Sequence, residues 1–267
     1  MNLIDIHAHL ETSRFTKDLD QVIERAKKAG IKVIINSGVN PSTNRDILEL
    51  AKKYPIIKIS FGLYPIDALA KEINSGESDD FSRKIEEFDV DEELAWIEKN
   101  KDKCVAIGEV GLDYNWPDSI EHKEKQKEVF EKIIKLAIKI NKPLIIHSRK
   151  AEVDAIELLE KNNAKNVIMH CFSAKKSLIQ RCIDNHWFLS VPPIITRLQH
   201  FQTLVQMTPI EQLLTETDSP YLSPIAGERN EPVNVTFTIK EISKIKNLTE
   251  KEVAEQIWKN AQNLFKF

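Results

Sequence analysis

Short runs rich in Ile and Val, each followed by a longer amphipathic segment, alternate along the whole chain, and this alternation constrains its fold more than any other feature. Apolar runs of this length bounded by polar turns read as buried strands, and the segments between them carry apolar residues at helical spacing. Eight strands are expected: Leu3–His7, Ile31–Asn36, Ile56–Phe61, Cys104–Glu109, Leu144–His147, Asn166–His170, Trp187–Ser190 and Gln212–Thr217. The segment from about His122 to Ile140 shows the helical period well. Val129, Phe130, Ile133, Ile134, Ala137 and Ile140 share one face, and lysines and glutamates fill the other. Eight strand-helix units in 267 residues match an α/β fold of the (β/α)8 TIM-barrel type. A doubly wound open sheet alternates similarly, but this chain has neither a glycine-rich phosphate loop after its first strand nor a Walker sequence. One barrel domain is therefore expected over residues 1–267. A long polar connection at about 64–90, containing NSGESDD, reads as an elaborated rim loop with a short helix, or as disorder.

Bulk properties narrow the function classes. With 42% apolar residues the chain can bury a full core without disulfides. Its formal charge of −3 gives no global positive field for nucleic acid or an anionic membrane, so any phosphate recognition has to be local. Cys104, Cys171 and Cys182 match neither a disulfide framework nor a zinc knuckle, which fits a reducing, cytoplasmic setting. No basic region precedes a long apolar segment, and no apolar run approaches a bilayer's thickness; a soluble, unprocessed protein is expected.

The ionisable residues fall in a pattern. In the opening LIDIHAHLE, alternate side chains share a strand face, so Asp5, His7 and His9 point the same way if the strand continues to His9. Glu109 ends VAIGE, His147 ends PLIIH, His170 ends NVIMH, and Asp218 follows the last strand in LLTETD. All lie at the carboxyl ends of expected strands, where a barrel of this type places its active site. Four imidazoles and two carboxylates buried together are costly unless they hold a cation, and six ligands exceed the need of one four-coordinate ion. Two divalent ions follow, with Glu109 shared, His7, His9 and Asp218 on one ion, and His147 and His170 on the other. Zinc, manganese, iron or nickel suits such ligands, and magnesium less readily. Asp5 is expected beside His7, orienting an imidazole or bonded to backbone.

A two-ion centre favours hydrolysis, with Asp218 placed to orient or deprotonate the attacking water and Glu109 bridging the ions as the second catalytic carboxylate. Arg149, two positions after His147, is a candidate for binding a substrate phosphate. So is Arg229 in GERNEP, although Glu228 and Glu231 offer it ion pairs. Tyr64, Tyr114, Trp116 and Tyr221 lie in strand-end loops, available either for stacking on bases or for packing.

Six motifs in order then resemble the TatD-type metal-dependent deoxyribonucleases, within the wider metal-dependent hydrolase barrels. They are DIHAHLE, AIGEVGLDY, PLIIHSR, HCFSA, TETDSPYLSP and GERNEP, followed by a closing NAQNLFKF. The resemblance implies a TIM barrel, a two-ion centre on His7, His9, Glu109, His147, His170 and Asp218, and 3′-to-5′ removal of nucleotides from single-stranded DNA ends, with RNA ends as a further possibility. The chain departs from the family pattern at FGLYPID, where Tyr64 and Ile66 stand for two histidines, and at Glu11 and Ala174. Two other readings stay open. One is an amidohydrolase cleaving a C–N bond or ester, which commonly bridges its metals with a modified lysine where this chain has Glu109. The other is a catalytically silent metal-binding scaffold that serves protein interactions.

Overall fold

The computed structural model describes residues 1–73, 86–116 and 119–266. Eight parallel strands follow one another around a single sheet in the order β1 to β8. They are β1 Leu3–Ala8, β2 Ile31–Ser37, β3 Ile57–Phe61, β4 Ala106–Asp113, β5 Leu144–Arg149, β6 Val167–Met169, β7 Phe188–Val191 and β8 Leu213–Thr215. Helices lie between successive strands: α1 Leu19–Lys28, α2 Pro41–Lys53, α3 Val90–Lys99, α4 Ile120–Lys139, α5 Glu152–Lys161, α6 Lys176–Asp184 and α7 Gln199–Met207, with α8 Val235–Lys246 and α9 Glu250–Phe265 after β8. The fold is the TIM barrel that the alternation predicts.

Local chemistry sets the helix limits. Asn40 caps α2 by accepting from the Thr43 N–H at 3.0 Å, and Pro41 follows at the first helical position, where it forfeits no bond. Thr249 and Glu252 form the same reciprocal box at the start of α9. In α4 the face carrying Val129, Phe130, Ile133, Ile134 and Ala137 is buried, as its periodicity requires. Each of the four larger side chains contributes roughly 1.5–3 kcal/mol over exposure.

The barrel is closed by the end of β8 and the segment after it rather than by a long strand ladder. The Thr215 hydroxyl donates to Ile4 O at 2.6 Å, Asp218 N–H to His7 O at 2.9 Å, and His9 N–H to Ser219 O at 2.8 Å. A bridge joins Ala8 to Ser219. This seam lays Asp218 alongside His7 and His9 at the carboxyl end of the barrel.

Every strand differs from its expected bounds by at least one residue, and β1 stops at Ala8, before His9; two differences bear on the site. Strand β4 runs four residues past Glu109 to Asp113, pairing Gly111 with His147 and Asp113 with Arg149 of β5. Gly111 makes this possible: its φ is +142°, and a Cβ there would lie 2.0 Å from His147 O. In the long connection Asp67–Leu69 forms a 3-10 turn, and Tyr64, Ile66, Leu69, Ala70 and Ile73 pack with Val39 in a satellite apolar cluster. The NSGESDD stretch of that rim loop lies outside the described residues.

Candidate metal centre

The six residues singled out at strand ends come together at the carboxyl-terminal mouth of the barrel. Glu109 stands at the middle, and its two oxygens face different histidine pairs. Oε2 is 3.5 Å from His7 Nε2 and 3.3 Å from His9 Nε2, whereas Oε1 is 2.9 Å from His147 Nδ1 and 3.7 Å from His170 Nε2. Asp218 Oδ1 lies 3.6 Å from His7 Nε2 and 3.5 Å from His9 Nε2. The rings of His7 and His170 are stacked, 3.8 Å apart. Asp218 holds a left-handed backbone, φ 55°, an uncommon state for a residue with a side chain and one that recurs at functional sites.

Each histidine is anchored from outside by its other ring nitrogen. His9 Nδ1 donates to Ser37 O at 3.0 Å, and His7 Nδ1 pairs with the Ser37 hydroxyl at 3.1 Å. His170 Nδ1 donates to Glu216 Oε2 at 2.6 Å, and His147 Nε2 to Asp113 Oδ2 at 3.2 Å. A carbonyl or carboxylate partner keeps the outer nitrogen protonated, so the nitrogen facing the centre is the one that gives up its proton and offers a lone pair to an ion. The result is a concentration of acceptors: His7 Nε2 and His9 Nε2 are 3.1 Å apart, with carboxylate oxygens around them. Ligand bonds of about 2.0–2.2 Å at tetrahedral angles place donor atoms about 3.4 Å apart, close to the separations found here. Two groups have ligand atoms all within 4.8 Å of one another, His7–Glu109–His170 and His7–His9–Asp218, and His147 stands beside the first through its contact with Glu109. The donor set therefore fits divalent cations.

The electrostatics agree. Burial works against charge throughout the site, yet bonds from His147, His7 and His9 hold the Glu109 carboxyl well below its usual range. Asp218 is also lowered against its burial, chiefly by His9. Burial would lower His147 and His170, but Asp113 with Glu109 raises the first to about 9 and Glu216 raises the second to about 8. His9 is raised by Asp218 and Glu109 in spite of burial, while burial and the neighbouring His170 hold His7 down. The pocket is built to gather positive charge.

For the remaining candidates the structure decides between the alternatives. Asp5 touches no imidazole. It accepts from Thr217 N–H at 2.8 Å, the Thr217 hydroxyl at 2.5 Å and His7 N–H at 3.2 Å, so it ties β1 to the seam, and burial pushes its carboxyl up to about 8. Arg229 does not face the cavity. Its guanidinium grips both oxygens of Asp18, at 2.8 and 2.6 Å, and Glu231 at 3.0 Å, because the loop before α1 folds back over it. Arg149 does line the cavity. Tyr64 is buried and donates to Asp113 Oδ2 at 2.8 Å, while Ile66 belongs to the satellite cluster. Tyr114 donates to Asp154 at 2.8 Å and Trp116 packs on the satellite cluster, so both are engaged in packing.

Sequence reasoning missed Glu216, Asp113 and Ser37, which hold the histidines, and Arg14, which lines the cavity. Glu216 and Asp113 did carry a signal: each is an acid beside a singled-out motif residue, in TETD and GLDY. The centre opens into a cavity of about 770 Å³ whose wall includes His9, Glu109, His147, His170, Asp218, Tyr221, Arg14, Arg149 and Lys150. That volume admits a ligand of one or two nucleotides' size.

Fold and site together define a (β/α)8 barrel carrying a histidine–carboxylate centre suited to divalent ions at its carboxyl-terminal mouth. The chain belongs to the TatD related DNase family, whose sequence model matches residues 4–266. It is 35% identical over 272 residues to the uncharacterized metal-dependent hydrolase YabD of Bacillus subtilis, covering 99% of both chains. To the deoxyribonuclease TATDN3 of Homo sapiens it is 34% identical over 268 residues, covering 99% of this chain and 95% of that one. Among solved structures it resembles YJJV, a TatD homologue from Escherichia coli, with a TM-score of 0.85 at 24% identity over 99% of this chain and 98% of that one. No helix among the described residues is long and apolar enough to cross a membrane.

Proposed function

We propose that this protein is a metal-dependent phosphodiesterase that removes nucleotides from the ends of single-stranded DNA in the 3′-to-5′ direction, using two divalent ions. The observation that carries the reading is the division of Glu109: one oxygen faces His7 and His9, the other His147 and His170. In this reading His7, His9 and Asp218 hold one ion, His147 and His170 hold the other, and Glu109 is shared. Bound there, the ions supply Lewis acidity, which lowers the pKa of a water and offsets charge on a phosphate in displacement.

The chain's own groups do the rest. Asp218, whose side chain is 17% exposed on the cavity side, accepts the proton of the attacking water and orients it. Arg149 and Lys150 stand at the cavity wall, where they neutralise phosphate oxygens in a protein of net charge −3. Asp113, Glu216 and Ser37 hold the imidazoles in register, so no reorganisation is needed when substrate arrives. The DNA substrate rests on the family and its named deoxyribonuclease members, and the direction of attack on the resemblance of the six sequence motifs alone.

The test is digestion of single-stranded DNA and RNA labelled at either end, across a panel of divalent ions, with elemental analysis of the purified protein. Stepwise release from the 3′ end of DNA, lost on chelation and in Glu109→Ala, is the expected result. Intact strands under every ion, with turnover of cyclic amides or aryl esters instead, would overturn the reading in favour of an amidohydrolase. Tight ion binding without any hydrolysis would point to a scaffold.

A further inference from the structure

Arg14 and Tyr221 stand side by side on the cavity wall beside the centre, the guanidinium over the aromatic ring. The Arg14 guanidinium carbon lies 5.2 Å from the centre of the Tyr221 ring, and that ring stands 6.5 Å from the ring of His9. Both positions are held from behind. The Tyr221 N–H donates to Asp218 O at 2.8 Å, so its ring follows a tight turn immediately after that carboxylate. Arg14 O accepts from Arg229 Nη1 at 2.6 Å, and Arg229 is clamped on Asp18 and lies 4.5 Å over the buried ring of Phe15. Arg229 thus serves the cavity indirectly, by fixing the turn that presents Arg14.

We infer that Arg14 and Tyr221 are a nucleobase platform, on which the base of the nucleotide bound at the histidine–carboxylate centre stacks. The inference rests on the phosphodiesterase reading. An aromatic face and a guanidinium plane are both surfaces on which unstacked bases lie, and neither requires a particular base. A phosphate at this place would draw Arg14 off the ring, and phosphates already have Arg149 and Lys150 on the same cavity. The platform therefore demands a base without choosing among bases, and it suits single strands, whose terminal base is free to leave its neighbours.

The experiment compares kcat/KM on a single-stranded oligonucleotide with kcat/KM on the same strand ending in an abasic nucleotide, prepared separately for each end. The metal-loaded unaltered protein, Tyr221→Leu and Arg14→Ala are measured side by side. Base stacking of the usual strength makes the ratio about 5 to 150 at the attacked end in the unaltered protein. In both variants the ratio falls toward one, whatever the identity of the base. Arg14 is exposed, so its replacement leaves the core intact and serves if Tyr221→Leu folds poorly. A ratio of one in the unaltered protein, or the same high ratio in all three, overturns the platform while leaving the nuclease reading intact. Failure of the unaltered protein to cleave either strand overturns the nuclease reading, and the platform with it.

Discussion

Glu216 Oε2 lies 2.6 Å from His170 Nδ1, and the same carboxylate accepts from the Ser190 hydroxyl at 2.7 Å and from Cys171 N–H at 2.8 Å. A buried acid with three donors fixes both the tilt and the tautomer of the imidazole it holds. Replacing it with Glu216→Gln keeps the shape but turns one oxygen into a donor, so at least one of the three partners is left facing another donor. Partners of this kind are worth 10- to 100-fold in metal affinity, so affinity in a chelator-competition titration should fall by roughly that factor. Unchanged affinity would show that His170 needs no such support.

Tyr64 reaches His147 through Asp113. Its hydroxyl donates to Asp113 Oδ2, the oxygen that also holds His147 Nε2. In Tyr64→Phe the fully buried Asp113 loses one charge-assisted bond, worth about 1.5–3 kcal/mol of stability. Urea unfolding of the metal-free protein measures this loss, and a difference below about 0.5 kcal/mol would show the bond to be dispensable.

Gly111 lets β4 approach β5 at the level of His147. With φ +142° and a would-be Cβ 2.0 Å from His147 O, Gly111→Ala must displace one strand from the other. The expected outcome is weakened metal binding together with a lowered melting temperature. A variant that melts and binds ions like the unaltered protein would mean that the approach is not needed to place His147.

Ion binding should stabilise the fold, because the donors converge only in the folded chain. At a free ion concentration about 100 times Kd the gain is about 2.7 kcal/mol per ion, and for a chain of this size each kcal/mol raises Tm by roughly 2–4 °C. Glu109→Gln, which weakens the shared ligand, should lose most of that rise in a thermal scan with and without chelator. An equal rise in the variant would remove Glu109 from the centre.

Arg25, Glu231, Arg229 and Asp18 form a network that ties the loop before α1 to the segment before α8. Burial would raise Glu231, but its bonds to Arg25 and Arg229 hold it below its usual value near 4.5. Asp18 is lowered first by its bond to Arg229. A carboxylate depressed in the folded state adds stability that is present above its unfolded pKa and lost as pH falls through the folded one. Stability should therefore drop as pH falls below the unfolded value of Glu231, near 4.5, and drop less in Arg229→Ala. The groups are partly exposed, so added salt should shrink the difference. Parallel pH profiles for the two proteins in urea unfolding would contradict this.

The sequence by itself determined the barrel and the places where its chemistry would gather. Strand and helix periods are local properties, and a residue at the end of a strand stands at the mouth of a parallel barrel whatever else surrounds it. That is why His7, His9, Glu109, His147, His170 and Asp218 were legible in the motifs that contain them. Only the tertiary structure decided how they are held and what their neighbours do. Asp18 and Arg229 are 211 residues apart, and their pairing turned a candidate phosphate ligand into the brace behind Arg14. Asp113 entered the site because Gly111 lets β4 run on beyond Glu109, and Asp5 was drawn to the seam by Thr217. Hydrogen-bond partners of buried charges are set by close approach in space, and spacing along the chain carries no record of that choice.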